Sequence, residues 1–191
     1  MKQFYAIRND GVKFKTLDLK ILDVNRNSPD DLELEDVIEF SKRNTKMSAW
    51  WKAPETDFIS INGDESDAIP DISMWVDAAL VLSPKAYRLL SDLLKPFGEF
   101  LPVHVQKETY YLFNCLTTGE EDSDKCKFEK HKGITLGLER LTFKESVQDL
   151  VVFKSPLQNC LTVFCGDRFK GATESFELSG IKFDTNLIEK F

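Results

Sequence analysis

Ala79-Leu80-Val81-Leu82-Ser83-Pro84-Lys85-Ala86-Tyr87-Arg88-Leu89-Leu90-Ser91-Asp92-Leu93-Leu94-Lys95-Pro96-Phe97-Gly98-Glu99-Phe100-Leu101-Pro102-Val103 is the stretch that decides the fold. Four apolar residues of strand length lead to Ser83, whose hydroxyl oxygen can accept a free N–H of a helix's first turn. Pro84 follows at the first helical position, where a missing N–H costs nothing. Ala86, Leu89, Leu90, Leu93 and Leu94 recur at i, i+3, i+4, i+7 and i+8, the stripe of an amphipathic helix. Leu82 and Tyr87 occupy the two positions of a hydrophobic staple, and Pro96 with Gly98 ends the helix. The chain then continues as Phe100–Val103 and Tyr110-Tyr111-Leu112-Phe113, two runs of strand length.

The same order returns near the C-terminus. Val163-Phe164-Cys165 leads to Gly166-Asp167, then to a helical stripe of Phe169, Ala172, Thr173 and Phe176, then to Gly180 and Ile181-Lys182-Phe183. Two similar supersecondary units are expected. Between them, Ile134, Leu136 and Leu138 alternate, as do Leu141 and Phe143, and Leu150–Phe153 and Leu161–Phe164 read as further strands. Gly119 to Lys132 is polar and reads as an exposed loop.

Upstream, Phe4–Ile7 reads as a strand closed by Asn9-Asp10-Gly11, and Leu17, Leu19 and Ile21 alternate as a second. Ser28-Pro29-Asp30-Asp31 carries the signals of a helix start, with Leu34, Val37, Ile38 and Ser41 on its inner face. Asn44 to Asp77 lacks a clean period and holds one or two short strands, among them Phe58–Ile61. The expected class is therefore α+β: a mostly antiparallel sheet with a few short helices packed on it and a loop-rich N-terminal part. A division into an N-terminal unit, residues 1–75, and a C-terminal unit, residues 76–191, is expected.

The chain of 191 residues carries a net charge of −7, unevenly placed. Residues 1–80 hold 16 acids and 10 bases, net −6, and residues 81–191 hold 16 and 15, net −1. Residues 30–39 contain six acids and no base, and residues 53–84 contain seven acids and no base. A field of that sign repels phosphates and attracts a basic partner, so nucleic acid is not the expected ligand. No apolar run approaches the roughly 20 residues of a membrane helix. The N-terminus carries no secretory signal, so a cytoplasmic location and no membrane partner are expected. Cys115, Cys126, Cys160 and Cys165 are then expected as reduced, mostly buried thiols.

Sequence signatures of catalysis are sparse. There is no phosphate-binding glycine loop, no G-x-G-x-x-G and no G-x-S-x-G. His104 and His131 are not spaced as metal ligands, and Cys160 and Cys165 have opposite parity on an expected strand, which places them on opposite faces. His104 and Cys115 lie on neighbouring expected strands and form one imaginable thiol–imidazole pair. No cofactor or metal is expected. The features suited to recognition are Trp50, Trp51 and Trp75, in or beside the base-free acidic stretch, since tryptophan is enriched at interface hot spots. With Asp57, Asp64, Glu65, Asp67 and Asp71 they form the expected partner-binding region.

The segments Leu82-Ser83-Pro84-Lys85-Ala86-Tyr87-Arg88-Leu89-Leu90, Gly98-Glu99-Phe100-Leu101-Pro102-Val103 and Tyr110-Tyr111-Leu112-Phe113-Asn114 resemble a family of bacterial immunity proteins of polymorphic toxins. The family was long labelled as of unknown function. The resemblance covers residues 70–191, including the closing strand, short helix and Gly-containing strand. It implies a cytoplasmic, non-enzymatic protein that binds and neutralises a cognate toxin. It carries over no catalytic residue, and the matched positions look structural. The alternatives are a non-toxin adaptor and a small hydrolase with an unrecognised site.

Overall fold

The computed structural model describes residues 3–26, 28–30, 32–60, 68–76 and 79–188. The N-terminal part contains β1 (Phe4–Asn9), β2 (Thr16–Leu17), α1 (Ile21–Asn25), α2 (Leu34–Ile38), β3 (Glu55–Thr56), β4 (Phe58–Ile59) and β5 (Ile72–Trp75). The middle holds β6 (Ala79–Leu82), α3 (Pro84–Leu94), β7 (Gly98–Val105), β8 (Glu108–Cys115), β9 (Lys127–His131) and β10 (Ile134–Arg140). The chain closes with β11 (Val152–Lys154), β12 (Val163–Gly166), α4 (Asp167–Ser175) and β13 (Ile181–Asp184).

The strands form two large sheets, ordered β3-β7-β8-β6-β5 and β11-β12-β1-β13. All neighbours are antiparallel except β3 with β7, so the α+β, mostly antiparallel class is observed. In the first sheet β6 and β7 both run antiparallel to β8 between them. In the second, β12 and β13 both run antiparallel to β1 between them. Each helix, α3 or α4, therefore joins two parallel strands separated by one inserted strand. The two similar units of the sequence share this topology. The inserted strand follows directly in one (β8) and comes from the far end of the chain in the other (β1). Strands from residues 1–75 complete both sheets, so pairing runs across position 75.

The apolar runs without alternation are explained by burial on both faces. Leu80, Leu82, Phe113, Cys115, Val152, Val163 and Cys165 face a core shared with Ala86, Leu90 and Leu94 of α3 and Phe169 of α4. Their neighbours Ala79, Val81 and Leu112 face a second core under Leu17, Val24, Val37, Phe40 and Met47. Ala6, Phe153 and Phe164 face a third, under Leu141, Phe143 and Val147. At strand period two, each face of each sheet is thus covered.

Ser83 caps α3 as expected, its hydroxyl accepting from the Ala86 N–H at 3.1 Å. The glycines of the two units are both sites of close approach. A Cβ on Gly98 would lie 2.2 Å from the Asn114 carbonyl oxygen. One on Gly180, where φ is +111°, would lie 2.2 Å from that of Ile72. The two sheets meet there, where the N–H groups of Asp10 and Ile72 donate to the carbonyls of Gly180 and Ser179 at 2.9 Å each.

Several local expectations are corrected. The alternation at Leu17, Leu19 and Ile21 yields only a two-residue strand, because Ile21 opens α1. Ser28 starts no helix; its hydroxyl donates to the Asn25 carbonyl at 2.7 Å, and α2 begins at Leu34. The polar segment after Gly119 contains β9, paired with β10 in a separate hairpin. Alternation in β10 does not mark a buried face, since Ile134 and Leu136 are 67% and 60% exposed. Two register shifts break the ribbon's period, and among the described residues no third strand pairs with it. Leu141 and Phe143 are buried without forming a strand.

Candidate functional site

The expected partner-binding residues are distributed over several places. Trp75 is 2% exposed, stacked on Phe40 at 5.5 Å, with its indole N–H donating to the Leu19 carbonyl at 2.7 Å. Trp51 donates to the Pro102 carbonyl at 2.8 Å, and Trp50 and Trp51 pack half-buried against the second core. Burial of an indole whose N–H is satisfied is a core role. Asp57 is exposed and accepts from the Phe58 N–H at 2.8 Å. Asp71 accepts from the Ser179 N–H and hydroxyl at 3.0 and 3.1 Å and pairs with Lys85 at 3.3 Å. Asp64, Glu65 and Asp67 lie outside the described residues.

His104 and Cys115 do not meet. On the β7–β8 ladder His104 pairs with Thr109 at one end, and Cys115 pairs with Gly98 at the other. Burial pushes the Cys115 thiol up to about 11, and it raises those of Cys160 and Cys165 as well. Protonated thiols are poor nucleophiles. Cys160 precedes β12 in a left-handed conformation (φ 56°), so the parity argument for Cys160 and Cys165 does not apply. Both are free, as are Cys115 and Cys126.

A site that no local pattern marks lies where three distant segments meet. Ile38 at the end of α2, Val76 after β5 and Leu161 before β12 line a groove of about 310 Å³. They are 52%, 49% and 53% exposed. Glu39, Phe40, Ser41, Lys42 and Asn159 complete the lining. Two walls are braced from below. Lys154 is fully buried, and its amine donates to the Ser41 carbonyl at 2.8 Å and lies 3.2 Å from the Ser41 hydroxyl. That hydroxyl donates to the Cys160 carbonyl at 2.5 Å. Desolvation holds the Lys154 amine below its ordinary range.

The backbone around the groove is strained. Val76, Asn159 and Cys160 have φ of 44°, 52° and 56°. For β-branched Val76 this is an outlier, of the kind that costs on the order of 1–3 kcal/mol and gathers at ligand-binding places. The chain around α2 is acidic. Among the described residues it holds Asp30, Glu33, Glu35, Asp36 and Glu39 against Lys42 and Arg43. Arg43 is clasped by Glu35, Asp36 and Glu39, and Lys42 pairs with Glu39 at 2.9 Å. Five acids and two bases leave net −3.

Two other surfaces stand out. A more open depression of about 550 Å³ between α3 and α4 is lined by Leu89, Leu93 and Phe176 and carries both signs, Asp92 and Arg168. The β9–β10 hairpin exposes Phe128, Ile134 and Leu136 among Lys127, Lys130, Lys132 and Arg140. Among the described residues no cluster of three His, Cys, Asp or Glu side chains is placed to hold a metal, and no helix is long and apolar enough to cross a membrane. Fold and surface define an α+β protein built on two split β-α-β sheets. No family model and no curated protein matches the chain.

Proposed function

We propose that this protein is a cytoplasmic immunity protein that neutralises a cognate toxin by direct contact, without catalysing a reaction. The observation that carries the reading is the placement of charge: net −6 in residues 1–80 against −1 in the remainder. Such a field speeds encounter with a basic protein and disfavours acidic ones. The resemblance of residues 70–191 to immunity proteins supports it. The resembling residues Ser83, Ala86, Leu90 and Gly98 serve cap, core and close strand approach, which leaves recognition to the rest of the surface. Co-expression with the toxin encoded beside its gene should restore growth of a sensitive strain. Continued killing at equal expression would refute the reading.

One observation favours a second reading, a non-toxin adaptor. The cationic hairpin β9–β10 offers a surface opposite in sign to the acidic N-terminal part, as a bridge between two partners requires. A pull-down that returns a host complex and no toxin would favour it.

A further inference from the structure

We propose that the tip of the β9–β10 hairpin docks on an anionic lipid surface, with Ile134 and Leu136 entering the headgroup layer and Lys130 and Lys132 meeting the lipid phosphates. The inference goes beyond the immunity reading and does not depend on it.

Three observations carry it. First, the ribbon stands out from the body. All five residues of β9 are exposed, and in β10 all but Leu138 are. Leu138 packs against the third core and pairs with Phe128, which fixes the base of the ribbon. Second, the tip is apolar. Ile134 and Leu136, 67% and 60% exposed, are the two most exposed large apolar side chains among the described residues. They lie two positions apart, within about 7 Å of strand. Third, cations frame that tip. Lys130, His131 and Lys132 are exposed, and residues 130–138 contain no acid.

The acids of the neighbourhood do not cancel this charge. Glu129 and Glu139 are matched in number by Lys127 and Arg140, and Asp122 and Glu120 pair with Lys125 and Lys144. The ribbon from Lys127 to Lys132 is about 15 Å long, roughly twice the screening length of physiological salt, so acids before Lys127 barely weaken the field at the tip. The shape then selects the occupant. A projecting aliphatic tip needs a matching concavity on a protein, whereas a headgroup layer accepts it without one. Lysine stems can lie along the apolar side chains while their amines reach phosphates. Nucleic acid would engage the same lysines and leave Ile134 and Leu136 in water.

The test is flotation of the purified full-length chain with phosphatidylglycerol-rich vesicles, against vesicles of pure phosphatidylcholine. The chain should bind the first and not the second, weakly and reversibly, and binding should fall as salt is raised. Ile134→Asp should reduce partitioning by about tenfold or more. Lys130→Ala and Lys132→Ala should each reduce it by about fivefold. All three positions are exposed, and circular dichroism and Tm check that each variant folds. Leu161→Asp, away from the hairpin, should leave partitioning unchanged. No binding of wild type to the anionic vesicles at low salt would overturn the proposal. So would binding that survives Ile134→Asp and both lysine variants, or capture of DNA or an acidic protein by the hairpin without vesicle binding. Toxin neutralisation by the same variants is read separately, so either reading can fail alone.

Discussion

The amine of Lys154 lies 2.8 Å from the main-chain oxygen of Ser41, 113 positions earlier, and the lysine is fully shielded from solvent. Among the described residues no carboxylate pairs with it, so its partners are a carbonyl and a hydroxyl. A buried amine held only by neutral groups is poorly compensated when charged. The contact nevertheless joins the loop-rich N-terminal layer to β11.

Because burial lowers the proton affinity of Lys154 in the folded state, the unfolded chain holds more protons below the ordinary lysine value of about 10.4. Stability then rises with pH in that window. Wild type should therefore gain Tm relative to Lys154→Met as the pH is raised from 7 toward 10. Parallel Tm–pH curves would show that the amine is not desolvated.

The thiols offer a second check. Cys115, Cys160 and Cys165 are buried and their thiols are held up by that burial, whereas Cys126 is partly accessible. A thiol reagent at pH 8 should rapidly modify at most one cysteine per native chain and all four in denaturant. Rapid modification of two or more in the native protein would contradict the packing of the cores.

The glycines separate close approach from helix propensity. Gly98→Ala and Gly180→Ala place a methyl against backbone carbonyls and should each cost about 2–3 kcal/mol in urea unfolding. Gly171, inside α4 with open space around it, should behave oppositely. Gly171→Ala should stabilise by about 0.5–1 kcal/mol. Equal effects at all three positions would refute this account.

Ser83→Ala removes the cap of α3 and should cost about 1 kcal/mol. Under conditions where the variant is folded, toxin affinity should be unchanged, since the cap lies in the frame. A binding defect without loss of Tm would place the interface at the start of α3.

What was legible in the sequence was what local chemistry determines. From β6 through β8, cap, stripe, stop and strands follow one another closely, and β8 pairs with both β6 and β7 within this short stretch. The second unit was legible for the same reason, except for its central strand. β1 reaches β12 across more than 150 positions, and no local signal encodes that pairing. Ile134 and Leu136 lie on a strand, β10, as their alternation indicates, but alternation marks a buried face only where another layer covers it. Trp75 is buried and Trp50 and Trp51 are half-buried, a difference that composition alone does not show. The groove was illegible because Ile38, Val76 and Leu161 belong to three unrelated segments.

The central claim is that the protein acts by occupying its toxin and not by turning anything over. Titrating a fixed concentration of active toxin with the purified chain, well above the dissociation constant, tests it most directly. The account predicts inhibition that rises linearly and saturates at a fixed molar ratio, with activity recovered when the complex is dissociated. Complete and lasting inactivation by substoichiometric amounts of the chain would contradict it.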